Sequence, residues 1–205
     1  MTETHIFCIS LEAERERRLH AITELKKTGL SWELIDAIDG RKGWGDMKAD
    51  PSRWGPGLKP TEAGCYFSHM KALQRILDYD LPHAIIVEDD FGLELGVRMG
   101  MQEVIKRAPK GWNHIQLHGT GRDWNPNYKR IEKRGEFWLC DETTLLTLGY
   151  CVTKKFAKII TEKHALMTMP IDHLFARLSH WPAAQFYEVD SPIIGPRPFG
   201  SVICP

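Results

Sequence analysis

The chain has 205 residues, a length that suits one domain, and its 27 basic residues balance its 27 acidic residues, so the formal net charge is zero. A neutral balance argues against a dedicated nucleic-acid binder, which usually carries a basic patch and a high pI. Five scattered cysteines without a Cys-x-x-Cys pair disfavour a disulfide framework or a structural zinc site, and favour reduced thiols in a cytoplasmic protein.

The spacing of apolar residues predicts strands and helices that alternate along the chain. The predicted elements, in chain order, are a strand at 5–10, a helix at 12–28, a strand at 32–35, a loop at 39–59, a helix from Thr61, a strand at 83–87, a helix at 97–106, a strand at 113–117, a loop at 125–137, two short strands within 139–152, and helices at 154–163 and 170–178. Residues 83–87 are continuously apolar, as expected of a strand buried on both faces of a mainly parallel sheet. The alternation indicates an α/β fold.

Three features of these elements give expectations about packing. On the first helix, Leu19, Ile22 and Leu25 share one face and are expected to point inward. Thr61 is a suitable N-cap for the helix that it opens. Five glycines and two tryptophans in the loop at 39–59 predict a flap that closes over a site.

The two ends of the chain are also informative. Residues 1–5 lack the basic and apolar regions of a signal peptide, and no apolar run reaches the roughly 18 residues that span a bilayer. The tail after Ser191 is rich in proline and glycine and is expected to wrap the surface. We therefore predict a cytoplasmic protein with at most peripheral association at the inner face of a membrane.

Three acidic residues, Glu88, Asp89 and Asp90, directly follow the buried strand at 83–87. In open α/β sheets, ligands bind outside the carboxyl ends of the strands. Adjacent carboxylates repel one another unless a cation compensates their charge. A hard divalent ion such as Mn²⁺ or Mg²⁺ would compensate it and could also coordinate a diphosphate. We expect Glu88 and Asp90 to hold such a metal; an acidic turn exposed to solvent would give the same pattern.

Polar side chains also lie near three predicted helix starts. Arg17 belongs to an arginine-rich run after the first strand, and it could contact phosphate or pair with acids on a solvated helix face. Ser68 and His69 lie one or two turns into a helix, where His69 could equally be a buried histidine with its hydrogen bonds satisfied. Asp172 lies in the first turn of a helix, where a carboxylate also complements the helix dipole.

Taken together, six segments resemble glycosyltransferase family 25, which includes bacterial lipooligosaccharide galactosyltransferases and the collagen galactosyltransferases. The segments are Ile9-Ser10-Leu11 with Glu16-Arg17-Arg18, Ala37-Ile38-Asp39-Gly40, Thr61-Glu62-Ala63-Gly64-Cys65 with Ser68-His69, Ile86-Val87-Glu88-Asp89-Asp90, Gly149-Tyr150-Cys151-Val152, and Pro170-Ile171-Asp172. Their order and spacing match from residue 6 to about 192. Each segment alone is weak evidence, whereas six in this order are specific.

The resemblance implies a GT-A fold over residues 1–205, with a Rossmann-like donor-binding half to about residue 118 and an acceptor-binding half after it. It implies metal-dependent, inverting transfer of a sugar, galactose foremost, from a UDP-sugar to a glycan or glycolipid hydroxyl, in lipopolysaccharide or surface polysaccharide synthesis. The DXD-type motif falls on Glu88 to Asp90. Carried over onto the matched segments, the donor contacts are Ser10, Leu11, Arg17, Asp39, Gly40, Ser68, Glu88, Asp89, Gly149 and Tyr150.

Inverting transfer needs a carboxylate base on the acceptor side, to deprotonate the attacking hydroxyl. Because Glu88 to Asp90 are committed to the metal, we predict Asp172 as the base, with metal ligation as its rival role. Glu62 and His69 are the other predicted catalytic residues. Two alternatives stay open: a glycan- or nucleotide-sugar-binding protein without turnover, and a metal-dependent phosphoryl or nucleotidyl transferase, although no Walker-type glycine loop is present to support the latter.

Overall fold

Strands and helices alternate along the chain, which the computed structural model describes at residues 4–45, 47–50, 52, 57–119 and 125–199. The strands are β1 (His5–Ser10), β2 (Ser31–Asp36), β3 (His83–Glu88), β4 (Phe91–Leu93), β5 (His114–Gln116), β6 (Lys129–Arg134), β7 (Phe137–Glu142), β8 (Gly149–Thr153), β9 (Phe186–Val189) and β10 (Ile194–Pro196). The helices are α1 (Arg15–Thr28), α2 (Pro60–Asp78), α3 (Met101–Arg107), α4 (Lys154–Lys163) and α5 (Ile171–Ser179), with a 3₁₀ turn at Gly40–Lys42. The predicted α/β class is confirmed.

Eight strands form one sheet in the order β2-β1-β3-β8-β5-β9-β7-β6, and β4 pairs with β10 beside it. Strand β1 runs parallel to β2 and β3, whereas β8 runs antiparallel to both β3 and β5. The sheet is therefore mixed, and the prediction of a mainly parallel sheet is wrong. The consequence is that the carboxyl ends of β1, β2, β3 and β5 meet the start of β8 at one edge.

Alternate residues of the central strands supply two apolar clusters, one on each face of the sheet. Phe7 and Ile9 pack with α2, α4 and α5, whereas Ile6 and Cys8 pack on the opposite face with α1 and α3. Helices cover both faces, which explains why the apolar run of β3 is buried throughout. This core fixes the strand ends that build the site.

The chain after β2 packs closely against the first turns of α2. A Cβ atom at Gly64 would come within 2.6 Å of the Ile38 carbonyl oxygen, and one at Gly40 would collide with the Pro60 backbone. The Ser68 hydroxyl donates to the Gly64 carbonyl at 2.6 Å and accepts the Ile38 N–H at 2.8 Å. Two glycines and one serine thus hold the end of β2 against α2.

Two predictions about the second half of the chain are wrong. Residues 125–137, predicted as a loop, contain β6 and the start of β7. This hairpin contacts the rest of the sheet through polar pairs such as Arg130–Glu188. A search for alternating hydrophobic residues does not detect a strand that is held by polar pairs. The tail does not simply wrap the surface. Ile193 and Ile194 are buried, because β10 pairs with β4.

Helix ends and faces also differ from expectation. Helix α2 begins at Pro60 with Lys59 as its N-cap, so Thr61 is not the cap. Glu62 reaches back to accept the Lys59 N–H at 2.8 Å, which satisfies a backbone donor that the helix leaves unpaired. On α1, Leu19 is 67% exposed and does not face the core, because the buried stripe passes through Ala21 and Leu25.

Three further predictions concern the chain as a whole. In the described ranges, no helix combines the length and the apolar character needed to cross a bilayer. The cysteines within those ranges, Cys8, Cys65, Cys140 and Cys151, are free thiols. The division of residues 1–205 into two halves near residue 118 stays a prediction; the main sheet contains strands from both halves.

Candidate active site

A pocket opens where the ends of β1, β2 and β3 meet the first turns of α2. Its lining includes eight of the ten predicted donor contacts, namely Ser10, Leu11, Arg17, Asp39, Gly40, Ser68, Glu88 and Asp89. Thr61, Cys65 and His69 also line it. Segments that lie far apart in sequence thus converge at the carboxyl edge of the parallel strands, where α/β sheets bind ligands.

Arg17 compensates two of the three adjacent acids. Its Nε donates to Asp89 Oδ1 at 2.7 Å, and its Nη2 lies 2.7 Å from the same oxygen and 3.2 Å from Asp90 Oδ2. Arg17 is buried, so these pairs are weakly screened by solvent. The repulsion among the acids, from which we predicted a metal, is therefore relieved in part by a cation of the chain itself.

Asp90 nevertheless keeps an oxygen suited to a cation. Its Oδ1 is buried and has no hydrogen-bond partner among the residues that the structure describes. Burial and the nearby charge of Glu88 raise the pKa of Asp90 to about 6, against the opposing effect of Arg17. An unsatisfied buried carboxylate oxygen is costly, and a hard divalent cation would satisfy it. Asp90 therefore offers one oxygen to the predicted metal, and its binding together with Glu88 stays a prediction.

Glu88, the last residue of β3, is fixed by two side chains. Its Oε1 accepts the Thr147 hydroxyl at 2.5 Å and lies 3.3 Å from His69 Nε2. Burial acts to raise the pKa of Glu88, but the hydrogen bonds from His69 and Thr147 outweigh it, and the pKa is lowered. The carboxylate is thus kept ionised at the edge of the pocket.

His69 and Tyr150 lie beneath Glu88. Both side chains are buried, and His69 Nδ1 lies 3.0 Å from the Tyr150 hydroxyl. His69 is therefore a buried histidine with both nitrogens partnered, as one of the two sequence interpretations expected. Tyr150 and Gly149 are not among the residues that line the pocket, and their predicted donor contacts stay a prediction. A Cβ at Gly149 would collide with Ile194, so close packing requires the glycine.

Asp172 lies at the start of α5 and faces the loop at 143–148. Its Oδ2 accepts the Leu146 N–H at 3.2 Å, and its Oδ1 accepts the His173 N–H at 2.8 Å. This loop precedes β8 and carries Thr147, which contacts Glu88. Asp172 is therefore brought to the same edge of the sheet as the acidic triplet.

Leu146 adopts an unusual backbone conformation in this loop. Its φ is 89°, in the left-handed region that non-glycine residues seldom occupy. Its N–H is held by Asp172, and its carbonyl accepts from Gln116 Nε2 at 3.0 Å. Such conformations persist only where surrounding contacts determine them, and they cluster at functional sites.

Sequence reasoning assigned no role to Cys65 or Thr147. Burial, followed by the charges of Glu88 and Asp172, raises the pKa of the Cys65 thiol well above its ordinary value. Cys65 precedes His69 by four residues on α2, so the spacing places both on one helix face. Thr147 gives no such signal, since its position depends on the loop before β8.

Glu62, one of the predicted catalytic residues, has a visible structural role as the capping partner of Lys59. A catalytic role for Glu62 stays a prediction.

A larger cavity of about 760 Å³ adjoins the pocket and shares Leu11, Ala37, Ile38 and Asp39 with it. Its remaining lining includes four large apolar side chains, Trp44, Met47, Phe67 and Met70. Cavities of this size and character are typical of small-molecule sites.

The predicted flap lies along this cavity. Trp44 packs partly buried against the core, and backbone hydrogen bonds from Asp50 N to Met167 O and from Met167 N to Lys48 O attach the loop to the segment before α5. Trp54 lies outside the described residues. Closure of the loop over a ligand stays a prediction.

Comparison with known proteins identifies the class. The family model described as "Glycosyltransferase family 25 (LPS biosynthesis protein)" matches residues 3–175. The chain is 28% identical over 193 residues to "Glycosyltransferase 25 family member" of Aedes aegypti, and 22% identical over 189 residues to "Procollagen galactosyltransferase 1" of Danio rerio. These alignments cover 84% and 82% of the chain, and 30% of each relative. "Probable inactive glycosyltransferase 25 family member 3" of Bos taurus is 22% identical over 182 residues, 82% of the chain and 30% of that relative.

The chain belongs to glycosyltransferase family 25, as the sequence segments indicated. It spans about 30% of the length of the curated relatives that it matches. Among solved structures, A197 from STIV aligns with 98% of the chain and 87% of its own, at 12% identity and a TM-score of 0.56, which supports a shared fold. The mixed sheet confirms the predicted α/β class, and the GT-A type stays what the family resemblance implies.

Proposed function

We propose that this protein transfers a sugar, galactose foremost, from a UDP-sugar to a hydroxyl of a glycan or glycolipid, with inversion at the anomeric carbon. The observation that carries the proposal is the convergence of eight predicted donor contacts on one pocket at the carboxyl edge of β1, β2 and β3. The family supports glycosyl transfer in general, and its description supports a role in lipopolysaccharide or surface polysaccharide synthesis.

The two adjoining cavities divide the donor between them. In this proposal the diphosphate would bind beside Arg17 and Asp89, and the nucleoside would bind in the apolar cavity whose lining includes Trp44 and Phe67. Glu88 would hold Mn²⁺ or Mg²⁺ together with Asp90 Oδ1, which has no hydrogen-bond partner in the described part of the chain. When bound, such a cation neutralises the charge that develops on the departing diphosphate.

Asp172 is the base in this proposal. It stands beside the loop at 143–148 and accepts the Leu146 N–H, whereas Glu88 accepts the hydroxyl of Thr147 from the same loop. The two backbone N–H groups that it accepts fix its orientation. Its carboxylate receives the proton of the acceptor hydroxyl as that hydroxyl attacks the anomeric carbon. Holding both substrates in line supplies much of the remaining rate.

The experiment begins with a donor screen by thermal unfolding, using UDP, UDP-galactose and other nucleotide sugars with and without Mn²⁺. A ligand that binds only the folded state raises the melting temperature by mass action. We expect UDP-sugars with Mn²⁺ to raise it, and Asp90→Asn to remove the Mn²⁺-dependent part of the rise. Asp190→Asn is the matched control, because Asp190 pairs with Lys133 and Trp138 on β6 and β7, away from the pocket strands.

Product analysis separates this proposal from its rivals. A glycosyltransferase releases UDP and does so faster with the correct acceptor. A phosphoryl or nucleotidyl transferase would break a phosphate bond and release UMP or a transferred phosphate. Binding of a UDP-sugar without release of any product, across a panel of glycan acceptors, would identify a binding protein instead. An unchanged Mn²⁺ effect in Asp90→Asn would remove Asp90 from the metal site.

A further inference from the structure

Three side chains of different chemistry converge in the lining of the pocket. One ligand atom each from Cys65, His69 and Glu88 lies within 4.8 Å of the other two. Cys65 and His69 are one turn apart on the same face of α2, and Glu88 ends the adjacent strand β3. All three line the pocket; Cys65 and Glu88 are partly exposed, and His69 is buried.

The geometry is close to that of a tetrahedral site. Thiolate, imidazole and carboxylate ligands at ordinary zinc distances are separated from one another by about 3.3–3.6 Å. His69 Nε2 and Glu88 Oε1 are already 3.3 Å apart. The Cys65 thiol lies within 4.8 Å of both of these atoms, so it is at most about 1.5 Å from the ligand separation of a tetrahedral zinc site.

The surrounding groups orient these ligands. The Tyr150 hydroxyl contacts His69 Nδ1 at 3.0 Å, which leaves Nε2 directed toward Glu88. The Thr147 hydroxyl donates to Glu88 Oε1 at 2.5 Å, which fixes this carboxylate. Partners of this kind fix the tautomer and ring orientation of metal-binding histidines.

We propose that Cys65, His69 and Glu88 form a Zn²⁺ site, with one tetrahedral position left for water. Thiolate and imidazole ligands favour zinc and related borderline-soft ions, whereas carboxylates alone favour Mg²⁺ or Mn²⁺. The site therefore differs in kind from the cation proposed at Glu88 and Asp90. Zn²⁺ binding displaces the proton of the Cys65 thiol, which leaves to solvent through the pocket.

Glu88 belongs to both ligand sets, and this sharing has a consequence. Zn²⁺ on the Cys65 side would hold Glu88 and weaken the cation site that includes Asp90. Competition between Zn²⁺ and Mn²⁺ rests on the proposed function, whereas the Zn²⁺ site itself does not. The test below measures coordination directly and does not depend on glycosyl transfer.

The test uses Co²⁺ as a spectroscopic substitute for Zn²⁺ in the chelator-washed 205-residue chain. A thiolate bound to Co²⁺ gives a charge-transfer band in the near ultraviolet, and Zn²⁺ should displace the Co²⁺ and abolish that band. We expect one Co²⁺ per chain with this band. Cys65→Ser should remove the band, and His69→Gln should lower the Zn²⁺ affinity at least about tenfold in a chelator competition.

Cys151→Ser is the matched control, because Cys151 is a buried free thiol whose side chain joins the apolar cluster on the opposite face of the sheet. It should keep the band, and circular dichroism should show that all variants are folded. Absence of the band in the wild type, or its persistence in Cys65→Ser, would overturn the proposal. Co²⁺ bound without the band and lost in Asp90→Asn would assign the ion to the acids and would overturn it as well.

Discussion

Arg17 and Asp89 lie 72 residues apart in sequence and form a buried ion pair in which Nε and Nη2 both approach Oδ1 at 2.7 Å. Removing one member of a buried pair leaves the other charge without compensation, which costs about 3–5 kcal/mol. We expect Arg17→Gln to lose stability of that order in urea unfolding at neutral pH. The loss should be larger than for most single substitutions, because Asp90 also loses its cation.

The neighbouring Arg18 provides the control. It pairs with Asp36, whose side chain is 66% exposed, and exposed pairs contribute about 1 kcal/mol or less. Arg18→Gln should therefore change stability little. If a divalent cation binds at Glu88 and Asp90, Mn²⁺ should stabilise Arg17→Gln more than the wild type. Equal, small losses for both arginine variants would show that Arg17 does not hold the acids together.

Leu146 gives a second prediction, about backbone strain in the loop at 143–148. A non-glycine residue in the left-handed region costs about 1–3 kcal/mol, and glycine removes that cost. Leu146→Gly also loses side-chain packing and gains entropy in the unfolded chain, so we expect a net change in stability within about 1 kcal/mol. Thermal or urea unfolding of the variant measures this change.

Leu145 is the matched control for Leu146. It is half-buried like its neighbour, and its φ is negative. Leu145→Gly relieves no strain, so it should be more destabilising than Leu146→Gly by at least about 1 kcal/mol. Similar losses for the two variants would mean that Leu146 stores no strain.

His114 gives a third prediction, about stability at acidic pH. It is fully buried between Tyr150 and Phe186, with ring centroids 4.9 Å from each, and neither nitrogen has a hydrogen-bond partner among the described residues. Burial, with a smaller contribution from His118, lowers the pKa of His114 from 6.5 to about 3. The folded protein therefore keeps this imidazole neutral.

The sign of the effect follows from proton binding. Below about pH 6.5 the unfolded chain takes up a proton at His114 that the folded chain takes up only near pH 3. Stability should therefore fall as the pH decreases across this window, by up to about 1.4 kcal/mol per pH unit from this residue. His114→Phe should reduce the slope of unfolding free energy against pH between 6.5 and 4. His180→Gln, at an exposed position, should retain the full slope, and an unchanged slope in His114→Phe would contradict the burial effect.

The fold was most predictable where local patterns and tertiary packing agree. The helix at 154–163 has the predicted limits, because its apolar stripe, including Phe156 and Ile160, is also its buried face. The hairpin of β6 and β7 was missed, because the exposed strand at the edge carries charged residues on both faces and depends on cross-strand partners for its position. Leu19 was wrongly predicted to face the core, because it has the helical spacing of the buried residues but lies on an exposed face of α1.

The site was predictable only in part. Motif positions predicted residues that line one pocket, because Ser10 and Glu88 end strands, and Asp39 follows a strand, at the same edge of the sheet. The sequence could not show that Arg17 folds back onto the acids, nor that Thr147 reaches Glu88, because both contacts join distant segments. The sequence also could not show that the Tyr150 hydroxyl contacts His69 Nδ1 instead of lining the pocket.

Asp172 gives the last prediction, and it distinguishes the base from a metal ligand. Asp172→Asn keeps the shape of the side chain and removes its charge. One of its two oxygens becomes an amide nitrogen, so the variant loses acceptance of either the Leu146 or the His173 N–H, at a cost of about 1 kcal/mol. The fold should therefore survive, and activity should be compared per folded molecule.

As a general base, Asp172 contributes about 10²–10⁴-fold to the rate, so Asp172→Asn should lose turnover of that order. Calorimetry should find its affinity for UDP with Mn²⁺ unchanged, because Glu88 and Asp90 remain intact. Asp141→Asn, at an exposed position on β7, is the control for loss of a carboxylate nearby and should keep both properties. If affinity for UDP with Mn²⁺ falls together with turnover, Asp172 belongs to the metal site. Because its two oxygens already accept backbone N–H groups, whereas Asp90 Oδ1 has no hydrogen-bond partner within the described ranges, we expect the first outcome.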